Sequence, residues 1–204
     1  MSEVLRLFPM SVYKSTIGRH FTSDELTYVK ECSNDVRPNP GNHTTSSYFI
    51  TEHPAMADIR GFINQQLKDY FQSEFRPLCQ VEPYVTQSWL NYTNPGEHHH
   101  IHTHSNSFLS GVLYLNADPE VDKIVFLSDR RPILEVQSNY TSPHHSQVCR
   151  VPVGTGDLII FPSNLVHMVE QTPTCRTMTR ISLAFNSYLR GDVAAPNHPI
   201  YLKL

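Results

Sequence analysis

The 204-residue sequence is poor in cysteine, and its four cysteines are scattered without a C-x-x-C pair (Cys32, Cys79, Cys149 and Cys175). This spacing argues against a disulfide framework and against a zinc site built from cysteines. The net charge is only -3 with histidine neutral, so the sequence also lacks the basic stripe by which proteins bind nucleic-acid phosphates. A small acidic substrate is still compatible with this charge.

Long apolar runs are absent as well. No run reaches the length of a membrane span, and the opening segment MSEVLRLFPMSVYKSTIG lacks the apolar stretch of a signal peptide. Hydrophobic residues make up 39% of the sequence and charged residues 17%, which indicates a globular fold. We therefore expect a single cytoplasmic domain over residues 1–204, without membrane contact.

Helical patterns occur in the first third of the sequence. The segment FTSDELTYVKECSND starts with the capping residues Thr22 and Ser23 and an acidic first turn, which is typical of a short helix. MADIRGFINQQLKDYFQSEF repeats apolar residues at spacings of three and four and predicts the best-defined helix. The turn-rich segment between them, NPGNHTTSSYFITEHP, is predicted to be a loop. Residues 1–77 are thus expected to form a helical N-terminal part.

Short apolar runs bounded by turn residues dominate the rest of the sequence. They are VEPYVTQSWLNY, FLSGVLYLN, KIVFLSD, DLIIFPS and TRISLAFNSYL. Strands at this spacing predict an all-β sandwich or barrel, here over residues 78–190. Residues 191–204 are assigned to a tail, and its proline-containing segment AAPNHPIYLKL is expected to be irregular.

Five histidines lie within seven residues in the segment PGEHHHIHTHSNS. On a strand, His100, His102 and His104 would share one face, while His99 would face away. Imidazole binds Fe, Zn, Cu and Ni, and a pair at i and i+2 suits two adjacent ligands on one ion. A third ligand must come from elsewhere, and His167 in GDLIIFPSNLVHMVEQ is the candidate.

The spacing of these histidines matches two motifs of the cupin barrel. G-x5-H-x-H from Gly96 to His104 matches the start of the first cupin motif, and G-x5-P-x4-H from Gly156 to His167 matches most of the second. The glutamate ligand that follows in the first motif is absent here. Cupin barrels bring these two motifs to one metal ion.

Arg180 and Ser182 lie two residues apart on one face of the segment RISLAFN, downstream of His167. Iron-dependent 2-oxoglutarate oxygenases use the same barrel and place an arginine there, often as R-x-S, to bind the distal carboxylate of the cosubstrate. A guanidinium group matches a carboxylate with two parallel hydrogen bonds. Arg176 is the competing candidate, although PTCRTMT is more typical of a turn.

The ordered motif set W-x-N, P-G, H-x-H, S-G-V-x-Y, F-P-S-x-L-x-H and R-I-S-x-x-F-N covers much of the chain. In this order the sequence resembles the 2-oxoglutarate/Fe(II)-dependent oxygenases of bacteria and phages. The resemblance implies a mainly β fold, a double-stranded β-helix (jelly roll, cupin-like) with N-terminal supporting helices. It also implies Fe(II), the cosubstrate 2-oxoglutarate and O2, and a host cytoplasm if a phage encodes the protein.

The metal ligands that the resemblance implies are His102, His104 and His167. The common facial triad combines two histidines with a carboxylate, and His104 stands at the carboxylate position here. Aspartyl/asparaginyl β-hydroxylases also lack this carboxylate, so it is not obligatory. His100 replaces His104 as a ligand if the register shifts by two residues. His98 and His99 are predicted to be loop residues.

The resemblance also implies contacts to the cosubstrate. Arg180 and Ser182 are expected to bind the distal carboxylate of 2-oxoglutarate. Asn91 and Tyr114 are candidates for further contacts, although Asn91 equally suits a turn and Tyr114 equally suits barrel filling. Gly111 is expected to permit close packing against a strand or a ligand.

The expected activity is that of an Fe(II)- and 2-oxoglutarate-dependent dioxygenase that hydroxylates its substrate and forms succinate and CO2. One alternative is a cupin-type metal enzyme that does not use 2-oxoglutarate, in which Arg180 is structural. Another is a non-enzymatic module whose histidine run binds metal. The sequence does not identify the substrate, and it is compatible with a homodimer.

Overall fold

The computed structural model describes residues 2–3, 9–129, 146–175 and 177–204. Within these ranges the chain forms two α-helices, α1 (Ser23–Cys32) and α2 (Ala57–Phe75). The strands are β1 (Tyr13–Thr16), β2 (Val36–Asn39), β3 (Asn42–Thr45), β4 (Val81–Thr93), β5 (His99–His102), β6 (Leu109–Asn116), β7 (Lys123–Leu127), β8 (Val148–Pro152), β9 (Asp157–Pro162), β10 (His167–Val169) and β11 (Arg180–Gly191).

The described strands pair antiparallel in two sheets. The larger sheet has the order β1-β9-β6-β11-β4-β3-β2, and the smaller sheet has the order β5-β10-β7-β8. One buried apolar cluster contains Tyr114 and Phe161 of the larger sheet together with Ile124 and Phe126 of the smaller sheet, so the two sheets face each other. This mainly β, two-sheet architecture confirms the predicted fold class.

Helix α2 covers the outer face of the larger sheet. Its side chains Ile59, Ile63 and Leu67 recur at every fourth residue, are fully buried and pack in one cluster with Leu90 and Leu183. Since successive strand residues point to opposite faces, the neighbours of Leu90 and Leu183 point inward, between the two sheets. No helix in the described part of the chain is long and apolar enough to cross a membrane.

Helix α1 begins with the predicted cap. Thr22 accepts a hydrogen bond from the Glu25 backbone N–H, and the Glu25 carboxylate accepts one from the Thr22 backbone N–H. Arg19 donates two further hydrogen bonds to the same carboxylate, at 2.6 and 2.9 Å. The first turn of α1 is thereby tied to the chain that precedes it.

The first 77 residues also contribute strands β1, β2 and β3, which extend the larger sheet on both sides. The prediction of a loop was therefore wrong for residues 42–45. These residues, NHTT, carry no apolar alternation, and their pairing with β2 and β4 stabilises them as a strand. Gly191, the first residue of the predicted tail, is the last residue of β11, and one bridge joins Asp192 to Lys203.

Candidate metal centre

Three histidines meet between the sheets. His102 ends β5 and His167 begins β10, and the two residues lie directly opposite each other in the β5–β10 pair. His104 follows two residues after the end of β5. The three residues offer ring nitrogens that all lie within 4.8 Å of one another. Two nitrogens bound to one ion at about 2.1 Å lie roughly 3–4 Å apart, so small side-chain movements would complete such a site.

The hydrogen bonds of His102 and His167 fix which nitrogen can bind an ion. Nδ1 of His102 lies 2.9 Å from the His100 carbonyl oxygen, and Nδ1 of His167 lies 2.9 Å from the Leu165 carbonyl oxygen. A carbonyl oxygen can only accept, so both Nδ1 atoms carry the proton. Both Nε2 atoms therefore present a lone pair, as in metal-binding histidines oriented by a backbone carbonyl.

His104 is oriented by side chains of the larger sheet. Its Nδ1 lies 2.7 Å from the Ser110 hydroxyl, and that hydroxyl donates to Asn186 Oδ1 at 2.9 Å. With its proton directed to Asn186, Ser110 accepts the Nδ1–H of His104, which leaves Nε2 of His104 available. Ser163 lies 2.8 Å from Ser110 and extends this buried network.

Burial keeps these imidazoles neutral. Burial and, to a smaller extent, the neighbouring His102 lower the pKa of His104 to about 4 and that of His167 to about 3. Burial also lowers the pKa of His102. Neutral imidazole is the form that binds a metal ion, so at neutral pH no proton has to leave before an ion binds.

The position of His99 differs from the prediction, whereas His98 is an exposed loop residue as predicted. The pairing passes from His102–His167 to His99–Val169, so β5 has one more residue than β10 between these pairs. Such a bulge changes the alternation of side chains. The His99 ring therefore stacks on His102, with centroids 4.7 Å apart and planes at 10°. The prediction that His99 is a loop residue facing away was wrong.

The residues proposed for the cosubstrate line one inner surface of the larger sheet. Ser182 lies opposite Asn91 on one side and opposite Tyr114 on the other. Arg180, two residues before Ser182, lies opposite Thr93 and donates to its hydroxyl at 3.1 Å. Each of these side chains is less than 5% exposed. Four predicted residues thus share one buried surface, while their role as ligands stays a prediction.

Two of these groups can act as hydrogen-bond donors in the interior. Burial raises the pKa of Tyr114 far above its usual range, so the phenol keeps its proton. Asn91 Oδ1 is buried and has no hydrogen-bond partner among the described residues. Because rotation of the amide exchanges its oxygen and nitrogen, Asn91 can present a donor to a carboxylate.

The cosubstrate surface lies next to the histidines. The positive charge of Arg180 is among the causes that lower the pKa of His99, after burial and the histidines His102 and His100. His99 in turn stacks on His102. The competing arginine, Arg176, lies outside the described residues.

Ser110 and Asn186 were not among the residues predicted for the site. Both belong to the quoted motifs S-G-V and F-N, and strand alternation places Ser110 in phase with Tyr114 and Asn186 in phase with Ser182. That alternation could have placed both side chains on the inner surface. Their partnership with His104 could not be predicted, because it depends on the path of the loop after β5.

Solved structures share this double-stranded β-helix fold. HygX from Streptomyces hygroscopicus, determined with nickel, 2-oxoglutarate and hygromycin B bound, matches with a TM-score of 0.59 and 12% identity over 87% of this chain and 82% of that chain. A Pseudomonas putida prolyl-4-hydroxylase matches with a TM-score of 0.53 and 16% identity, over 87% of this chain and 92% of that chain. A 2OG-Fe(II) oxygenase family oxidoreductase from Burkholderia pseudomallei matches with a TM-score of 0.55 and 13% identity, over 85% of this chain and 83% of that chain.

Residues 87–186 match the model of the family described as "Putative 2OG-Fe(II) oxygenase". By this match, residues 87–186 belong to that family. The matched segment contains the three histidines of the centre as well as Arg180 and Ser182. A comparison with curated proteins found no match.

Proposed function

We propose that the protein is an Fe(II)- and 2-oxoglutarate-dependent dioxygenase that hydroxylates its substrate and forms succinate and CO2. The observation that carries this proposal is the position of Arg180. It is a buried arginine on the inner surface of the larger sheet, close enough to the histidine cluster to act on His99. A carboxylate ligand bound to such an arginine would extend toward the metal centre.

His102, His104 and His167 would hold the iron through their Nε2 atoms. Their three neutral imidazoles fit an Fe(II) ion, and they replace the two histidines and one carboxylate of the common facial triad. The replacement leaves the centre one charge more positive, which favours an anionic cosubstrate. When bound, the iron supplies the activation of O2 that oxidises 2-oxoglutarate and the substrate.

Arg180 would bind the distal carboxylate of 2-oxoglutarate with two parallel hydrogen bonds, and Ser182 would donate a third. Asn91 and Tyr114 lie in register on either side of Ser182 and can donate to the remaining oxygens. Because these side chains are buried, the charged hydrogen bonds form away from water, where they are strongest.

Succinate formation from 2-oxoglutarate, Fe(II) and O2 tests the proposal. The wild type is expected to form succinate, and Arg180→Gln is expected to lose this turnover while it retains iron. Arg190→Gln is the matched control, since Arg190 lies on the same strand but is exposed and pairs with Glu82. An iron-loaded wild type without succinate formation would favour the cupin-type alternative.

A further inference from the structure

A second group of histidine nitrogens lies beside the proposed centre. His99, His100 and His102 each offer a ring nitrogen, and these three atoms lie within 4.8 Å of one another. We call this group the outer position, and His102, His104 and His167 the inner position. All three residues of the outer position are partly exposed, whereas His167 is buried. The outer position is therefore the one nearer to solvent.

The ring of His100 has an unsatisfied nitrogen. Its Nδ1 is buried and has no hydrogen-bond partner among the described residues. Buried polar atoms are nearly always satisfied, and an unpaired one calls for a ligand such as an ion or water. The neighbouring rings suit an ion, since the centroids of His99 and His102 lie 5.1 and 4.7 Å from that of His100.

The two positions share His102, and this prevents both from being complete at once. Nδ1 of His102 donates to the His100 carbonyl, so only Nε2 can bind an ion. A single lone pair binds a single ion. An ion that moves from the outer to the inner position therefore keeps His102 and exchanges His99 and His100 for His104 and His167.

We propose that the outer position captures a divalent transition-metal ion at the surface and transfers it to the inner position. Three imidazole ligands select ions such as Fe(II), Co(II), Ni(II) or Zn(II) over Mg(II) and Ca(II), which prefer oxygen ligands. The inference rests on the proposed function in one respect, namely that the ion finally binds at the inner position.

Anaerobic titration with Co(II) tests whether the outer position binds metal. At His104 and His167, asparagine retains a donor near the place of Nδ1 and removes Nε2. His104→Asn/His167→Asn is expected to bind one Co(II) per chain, and the addition of His99→Asn/His100→Asn is expected to abolish that binding. His98→Asn is the matched control from the same run, and it should bind as the wild type does. Equal binding by the double and the quadruple variant would overturn the proposal.

Stopped-flow mixing with Co(II) tests the transfer. His99→Asn/His100→Asn is expected to reach the same final occupancy as the His98→Asn control, but severalfold more slowly. An unchanged loading rate would overturn the transfer. A third outcome is that His99→Asn/His100→Asn binds no Co(II) while His104→Asn/His167→Asn still does. This result would contradict metal binding at the inner position, and with it the proposed function. It would leave metal binding at the outer position supported. Circular dichroism of each variant checks that it is folded.

Discussion

His104 lies outside the strands, and its ring is oriented by side-chain hydrogen bonds, above all the one to Ser110 at 2.7 Å. His102 and His167 are each held by a backbone carbonyl, which no side-chain substitution removes. The orientation of His104, by contrast, depends on the side chains of Ser110 and Asn186. Among the three proposed ligands it is therefore the one whose support can be tested by mutation.

Ser110→Ala removes the acceptor for Nδ1 of His104. We expect metal affinity to fall by about 10–100-fold, the usual cost of losing a partner that orients a ligand. A competition titration with Co(II) and a chelator measures the change. Ser107→Ala is the matched control, because Ser107 lies in the same hydroxyl network but makes no hydrogen bond to His104. Equal affinities for the two variants would contradict this account.

The packing between β6 and β11 depends on a single residue, Gly111. A Cβ atom there would lie 2.2 Å from Cζ of the fully buried Phe185 ring on the neighbouring strand. We expect Gly111→Ala to reduce the free energy of unfolding by about 1–3 kcal/mol, as overpacking does. Urea denaturation measures it. In the control Gly61→Ala, the new methyl group meets nothing within 4 Å and should stabilise α2 by up to about 1 kcal/mol.

At the scale of elements, the start of α1 depends on one buried carboxylate. Burial alone would raise the pKa of Glu25, but hydrogen bonds from Arg19 and Thr22 and the Arg19 charge lower it overall. A lowered pKa in the folded state means that the ionised carboxylate stabilises the fold above the unfolded pKa of about 4.3. This contribution is lost as the pH falls through the folded value.

Glu25→Gln is therefore expected to lower the free energy of unfolding by about 1 kcal/mol at neutral pH. The difference from the wild type should shrink as the pH is lowered past about 4. Urea denaturation across this pH range measures both effects. Asp24→Asn, which changes an exposed carboxylate in the same turn, should have a smaller effect. A Glu25→Gln penalty that persists undiminished at low pH would contradict the assignment to the charged form.

The elements differ in how far the sequence predicts them. Helices α1 and α2 and the long strands β4, β6 and β11 carry their own apolar period, so local pattern is sufficient. Strand β3 has none, and its pairing with β2 and β4 makes it a strand. The bulge in β5 depends on its partner β10, which lies far along the chain. For this reason His102, His104 and His167 could be placed together from the sequence, whereas the stacking of His99 on His102 could not.

At the scale of the whole molecule, the centre connects the two sheets. His102 and His167 belong to the smaller sheet, whereas His104 is hydrogen-bonded to Ser110 on β6 of the larger sheet. An ion bound to all three residues would tie the sheets together. Binding to the folded state alone stabilises that state in proportion to the logarithm of ligand concentration.

Thermal unfolding with Co(II) and with chelator measures this stabilisation. At a metal concentration about 100 times Kd, we expect the wild-type Tm to rise by roughly 5–10 °C. His102→Asn should abolish the shift, because His102 belongs to both histidine groups. His98→Asn should preserve it. Equal shifts in these two variants would mean that the ion binds elsewhere.

The central claim is that 2-oxoglutarate binds between the histidine centre and Arg180. The most direct test is to add 2-oxoglutarate to the anaerobic Fe(II) protein and to record the visible metal-to-ligand charge-transfer band of such complexes. We expect a band in the wild type and in Arg190→Gln. In Arg180→Lys we expect a weaker band or none, since lysine keeps the charge but loses the paired hydrogen bonds. Iron retained in the wild type without any band would contradict the claim.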